Sequence, residues 1–169
     1  MESSQKLYET CYMRVYSYVM TLAGAKDLAE EITQETFFRA IRARESFRGD
    51  SELLTWLCAI ARNLFHDEMR RYARQGYGNS AGRSAADSIE EIPDPSAGPM
   101  EIAADKEDSF RIHRILHAME EPCKEVFELR CFGELSFRQI GSIFGKTENW
   151  ARVTCHRARI KLQERMEKT

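Results

Sequence analysis

Asn149, Arg152, His156 and Arg157 combine an amide, two guanidinium groups and an imidazole. Such a set can read base edges and hold phosphates in a DNA groove. Trp56 and Phe65 are interleaved with Arg62, Asn63, Asp67, Arg70 and Arg71. Aromatic faces beside a cationic track suit unstacked single-stranded bases; the plainer explanation places Trp56 in a core. Asp27, Glu31 and Glu35 recur at i, i+4 and i+8 with Gln34 beside them. They form either a solvated face, with Glu35 paired to Arg39, or a docking stripe for a basic partner helix. His113 and His117 stand at i, i+4, a spacing that can seat a metal. No Glu stands between them in an H-E-x-x-H arrangement and no third ligand is evident, so no metal, cofactor or enzyme chemistry is expected.

The elements that must position these residues are helical. Ser136 precedes an apolar-periodic run and Gln139 follows three residues later, the spacing of a capping box. Phe137, Ile140, Ile143 and Phe144 share one face, and Gly145 stands where a left-handed residue would stop the helix. Thr147 can cap a second helix. There Ala151, Cys155, Ala158 and Leu162 point inward, and Asn149, Val153, His156 and Ile160 point outward, flanked by Arg152 and Arg157. Two capped helices joined by a glycine-centred turn, the second basic, are the pattern of a DNA-binding helix-turn-helix.

Upstream, helices are expected over 4–22, 27–44 and 52–72, and no convincing alternating strand occurs. The stretch 73–105 is rich in Gly, Ser, Ala, Pro and acid, the composition of a mobile tether. A second helical unit starts near 106. Within it Pro122 opens a helix running to about 132, where its missing amide is no loss. The fold class is therefore all-α: two small helical domains, 1–72 and 106–169, joined by a flexible acidic linker over 73–105.

Of the 169 residues, 31% are charged and 43% hydrophobic, as in ordinary globular protein. No apolar run is long enough to span a bilayer, and the N-terminus has no signal-peptide core, so a cytoplasmic protein with no membrane insertion is expected. Five cysteines, at 11, 58, 123, 131 and 155, show no C-x-x-C spacing, which indicates neither a disulfide framework nor a zinc site. The net charge of −2 is unevenly spread: −1 over 1–72, −5 over 73–109 and +4 over 110–169. The basic end is the helix-turn-helix end, as phosphate attraction requires.

Residues 27–71 resemble the second conserved region of bacterial extracytoplasmic-function sigma factors. Asp27, Glu31, Gln34 and Phe37 match a D-x-x-x-E-x-x-Q-x-x-F pattern. The FRG loop (47–49) and the W-L-x-x-I-A-R-N run (56–63) follow in order. The helix-turn-helix with HRARIKL (156–162) is similar to the fourth region of that family. The resemblance implies a promoter-specificity subunit of core RNA polymerase, serving a stress or envelope response. Asp27, Glu31, Gln34 and Phe37 would dock on the basic coiled coil of the largest polymerase subunit. Phe47, Arg48, Gly49 and Asn63 would border a pocket for a base flipped from the −10 element, and Arg70 and Arg71 would track phosphates. Arg152, Val153, His156 and Arg157 would read the −35 element of promoter DNA. The linker would thread a basic polymerase channel as a nucleic-acid mimic, through Asp87, Glu90, Glu91 and Asp94. The resemblance further implies an anti-sigma partner, commonly membrane-anchored. The competing expectation is a polymerase-independent helix-turn-helix regulator that binds duplex DNA alone.

Overall fold

The computed structural model describes residues 2–47, 52–76 and 99–168. These form seven α-helices and no strand: α1 (Glu2–Ala23), α2 (Lys26–Arg42), α3 (Leu53–Arg74), α4 (Pro99–His117), α5 (Cys123–Cys131), α6 (Phe137–Phe144) and α7 (Glu148–Glu167), with a 3-10 turn over Arg44–Ser46 after α2. The all-α, two-domain plan stands. Asp87, Glu90, Glu91 and Asp94 lie outside the described residues, as do Arg48 and Gly49.

In the N-terminal half α1, α2 and α3 pack on one another. Val15, Tyr18, Val19 and Leu22 of α1 close over Ala29 and Ile32 of α2 and Leu57, Cys58 and Ala61 of α3, all buried. Small residues at 29, 58 and 61 let the helices approach. Buried Thr33 and Thr36 donate to the carbonyls of Ala29 and Ile32, at 2.7 Å each, so neither hydroxyl costs an unmet hydrogen bond.

In the C-terminal half α7 lies against α4, α5 and α6. α4 begins at Pro99, inside the stretch whose composition suggested a tether. Proline is tolerated in a first helical turn, and the residues after it (Met, Glu, Ile, Ala, Ala) favour helix, which outweighs the acidic, proline-rich composition. Pro122 is the N-cap residue of α5.

The two halves touch. α1 contacts α5, and α3 contacts α6. Among the described residues, five side-chain pairs tie them. Arg14 pairs with Glu134 at 2.7 Å. The Gln139 amide donates to Glu52 at 2.5 Å. Arg62 and His66 converge on Glu125. The Arg62 guanidinium also lies 4.5 Å over the Phe144 ring.

Candidate nucleic-acid interface

The helix-turn-helix is built by local chemistry. Ser136 accepts from the Gln139 amide at 3.2 Å, and the Gln139 side chain accepts from the Ser136 amide at 2.7 Å, a complete capping box. Gly145 ends α6 at φ 64°, and its neighbour Lys146 donates its amide to Gly141. Gly141 is needed for a different reason: a Cβ there would come within 2.8 Å of the carbonyl oxygens of Lys146 and Thr147. The Thr147 hydroxyl accepts from the Trp150 amide at 3.1 Å and starts α7. Ala151, Thr154, Cys155 and Ala158 are buried beneath that helix.

Its other face is open. Asn149, Arg152, Val153, His156, Arg157 and Ile160 are all exposed. Arg152 is steered from its own domain by Glu148 at 3.0 Å and by the Phe137 ring at 5.6 Å. The outward residues expected to meet a groove thus share one surface.

On the N-terminal half, α2 presents Asp27, Glu31 and Gln34 to solvent, with Glu35 half-buried and held by Arg39 at 2.6 Å. Glu31, Gln34 and Glu35 border a groove of about 670 Å³ between α2 and α3 that Leu28, Phe38, Leu64 and Glu68 also line, and Asp27 lies outside it. Phe38 and Ile41 are exposed beside this face, 53% and 66%, although apolar. Phe37 sits differently. It is 6% exposed and packs against Tyr8 and Tyr12, with ring centroids 4.9 and 5.3 Å away, so it positions the stripe from below.

On α3, Asn63, Arg70 and Arg71 are exposed. Arg70 is paired to Asp67 and Arg71 to Glu68. Trp56 is half-buried with Phe47 tilted on it, centroids 4.8 Å apart, so the two rings form one aromatic step at the start of α3. His113 and His117 gather no third ligand: among the described residues no group of three His, Cys, Asp or Glu could hold a metal. Burial holds His113 below its ordinary pKa and His117 at about 4, so both are neutral imidazoles of the C-terminal packing.

The sequence reading missed one cluster. Glu125 of α5 is 2% exposed and accepts from Arg62 Nε and Nη2 at 3.1 Å each, with His66 Nε2 2.6 Å from its other oxygen. Burial pushes the Glu125 carboxyl up, but the hydrogen bond to His66 and the Arg62 charge outweigh it and hold the group below the usual range. One turn on, Glu128 is fully buried with neither carboxyl oxygen partnered, and burial raises it to about 8. The Tyr18 hydroxyl of α1 is likewise buried without a partner; burial and the Glu125 and Glu128 charges push it well above its ordinary value. The signal was present as Arg62 and His66 at i, i+4 and Glu121, Glu125 and Glu128 at i, i+4, i+7, but nothing local says the two stripes meet.

Comparison with known proteins follows the same division. Residues 7–75 match the family described as Sigma-70 region 2, and residues 109–162 match Sigma-70 region 4. The RNA polymerase sigma factor YlaC of Bacillus subtilis is 27% identical over 169 residues, 99% of this chain and 94% of its own. The ECF RNA polymerase sigma factor SigX of the same organism is 25% identical over 166 residues, 98% of this chain and 84% of its own. Among solved structures, the sigma factor RpoE of Bartonella quintana, crystallised with the anti-sigma factor NepR, shares the fold. Its TM-score is 0.76 over 99% of this chain and 98% of that one, at 20% identity.

Proposed function

The chain belongs to the extracytoplasmic-function sigma factors, and from that premise we propose that it binds bacterial core RNA polymerase and directs initiation at promoters carrying paired −35 and −10 elements. The observation that carries this is that one chain holds both sigma regions in order with their reading faces exposed: the acidic α2 stripe and the outward face of α7.

In this reading residues 1–72 dock on polymerase and open the −10 element, 73–105 connect, and 106–169 read the −35 element. Asp27, Glu31 and Gln34 offer carboxylates and an amide to a basic polymerase helix pair, and the exposed Phe38 and Ile41 beside them give it an apolar edge. Phe37 supports that stripe. Phe47, Arg48, Gly49 and Asn63 receive a flipped base. The Phe47–Trp56 step supports this, because returning the unstacking cost needs an aromatic surface. Arg70 and Arg71 exchange their carboxylate partners for phosphates. Arg152, Val153, His156 and Arg157 read the −35 duplex, where a bidentate Arg–guanine pair is worth about 1–3 kcal/mol.

The protein acts as an initiation factor with no catalytic step of its own, in the cytoplasm where polymerase works. Among the described residues no helix is long and apolar enough to cross a membrane. RpoE of Bartonella quintana has been crystallised with an anti-sigma factor. We extend that mode of control to this chain, since an inhibitor covering the polymerase face excludes polymerase.

Abortive transcription with core polymerase on a promoter-fragment library tests the reading. Initiation that depends on the protein and disappears in the double variant Asp27→Lys, Gln34→Ala is the expected result. Tight, salt-sensitive duplex binding with no initiation overturns it in favour of a polymerase-independent regulator.

A further inference from the structure

The contact between the halves has a chemistry of its own. Arg62, His66 and Arg70 recur at i, i+4 and i+8 along α3, with Asn63 beside them, so they form one cationic track. Facing Arg62 and His66, α5 presents Glu125, with Glu121 in the turn before the helix and Glu128 one turn further on. Residues 110–169 bear +4 overall, and an acidic helix is a poor surface for approaching DNA, so this stripe needs another counterpart. It finds one on α3. A guanidinium recognises carboxylate and phosphate through the same pair of parallel N–H donors. Arg62 gives both Nε and Nη2 to Glu125, and His66 takes the remaining oxygen. Phe144, the last residue of α6, covers the same guanidinium from its π-face.

We propose that in the free chain the C-terminal domain closes over α3, with the Glu125 carboxylate standing in for a nucleic-acid phosphate between Arg62 and His66. Closure and single-strand binding then exclude each other. The free protein neither engages single-stranded DNA nor spans two promoter elements until another contact parts the halves. Arg62 and His66 thereby join Asn63 and Arg70 as phosphate-facing residues of the open state. Arg14–Glu134 and Glu52–Gln139 act as exposed secondary ties at the edge of the closure. This inference rests on α3 being the single-strand surface.

The test compares the full-length wild type with Glu125→Ala and, separately, with Glu134→Asn. Glu134 is exposed and sits at φ 56°, a conformation asparagine adopts more readily than glutamate, so that variant keeps the fold while removing a tie. Solution X-ray scattering reads closure; fluorescence anisotropy with a fluorescein-labelled single-stranded oligonucleotide of random sequence reads the surface. The expected result is a larger radius of gyration and at least about tenfold tighter single-strand binding for Glu125→Ala, with a smaller shift in the same direction for Glu134→Asn. An unchanged radius in both variants overturns the closure. A larger radius with unchanged single-strand affinity overturns the exclusion. The α3 assignment is judged separately, by Asn63→Ala in core-dependent initiation. If that variant initiates normally, the underlying reading fails rather than the closure.

Discussion

Removing the carboxyl of Glu128 should change how stability depends on pH, and the sign can be worked out in advance. The group is fully buried on α5 and no hydrogen bond reaches either oxygen, so burial lifts it from an ordinary 4.5 to about 8. Lys124 lowers it, and Glu121 and Glu125 raise it. From pH 4.5 to 8 the folded chain therefore holds a proton that the unfolded chain has released, and stability falls as pH rises, by about 1.4 kcal/mol per unit. The two buried histidines act oppositely. Unfolded His117 titrates near 6.5 but folded His117 near 4, so stability rises with pH between those values, and His113 follows the same direction. Below pH 6.5 the histidine slopes oppose that of Glu128. Above it Glu128 stands nearly alone. Glu125, held low, is ionised in both states there and contributes no slope. The wild type should lose about 1.5 kcal/mol between pH 6.5 and 8 that Glu128→Leu retains. Urea denaturation followed by far-UV circular dichroism at several pH values measures it. The histidine contributions and any packing change from leucine are common to both pH values or both proteins, so they drop out of the difference. Parallel profiles would show that Glu128 is ionised in the folded chain and refute the reasoning.

Ser136→Ala should cost about 1 kcal/mol, because the capping box loses its hydroxyl, and lower the melting temperature by about 3 °C by calorimetry. Gly141→Ala should cost about 1–3 kcal/mol and weaken duplex binding, since its Cβ would meet two backbone oxygens at 2.8 Å and push α7 out of register; anisotropy with a promoter duplex reads the loss. Arg157→Ala, which removes an exposed guanidinium from the α7 reading face, should weaken specific duplex binding by about 1–3 kcal/mol while leaving the melting temperature unchanged.

The helix-turn-helix was legible because every signal in it is local. Ser136 and Gln139 cap within one turn, Gly145 supplies the left-handed residue, and Thr147 caps the next helix three residues from its donor. The buried stripe of α7 followed from helical spacing alone, and Cys58 and Cys155 packed as small apolar residues. Phe37 shows the limit of motif reading. Its spacing matches a docking pattern, yet Tyr8 and Tyr12, distant in sequence, close over it. α4 was cut short because the Pro- and acid-rich composition of its first turns resembles a tether, while helix propensity there is a weaker, summed signal. The Arg62–Glu125–His66 cluster was illegible for a more basic reason. Its members are about sixty residues apart, and a charged stripe on a helix is by default a solvated one.

The contact between the halves is polar at two places. Parting Arg62 from Glu125 loses their mutual attraction but returns both charges to water, so the pair adds little net stability to closure. Keeping Glu128 neutral at pH 7 with a pKa of about 8 costs about 3.4 kcal/mol relative to an ordinary carboxyl at 4.5. Tyr18 senses the Glu125 and Glu128 charges from α1, so the orphaned hydroxyl and the orphaned carboxyl lie on the two sides of the α1–α5 contact. Parting α1 from α5 would return both to water while it breaks the ion pair. Opening is therefore cheap at these polar groups, which leaves closure responsive to modest competing contacts. A partner that supplies a phosphate to Arg62 and His66, or a basic surface to the α2 stripe, then needs only a few kcal/mol to tip the chain open. An inhibitor that spans both halves needs no more to hold it shut.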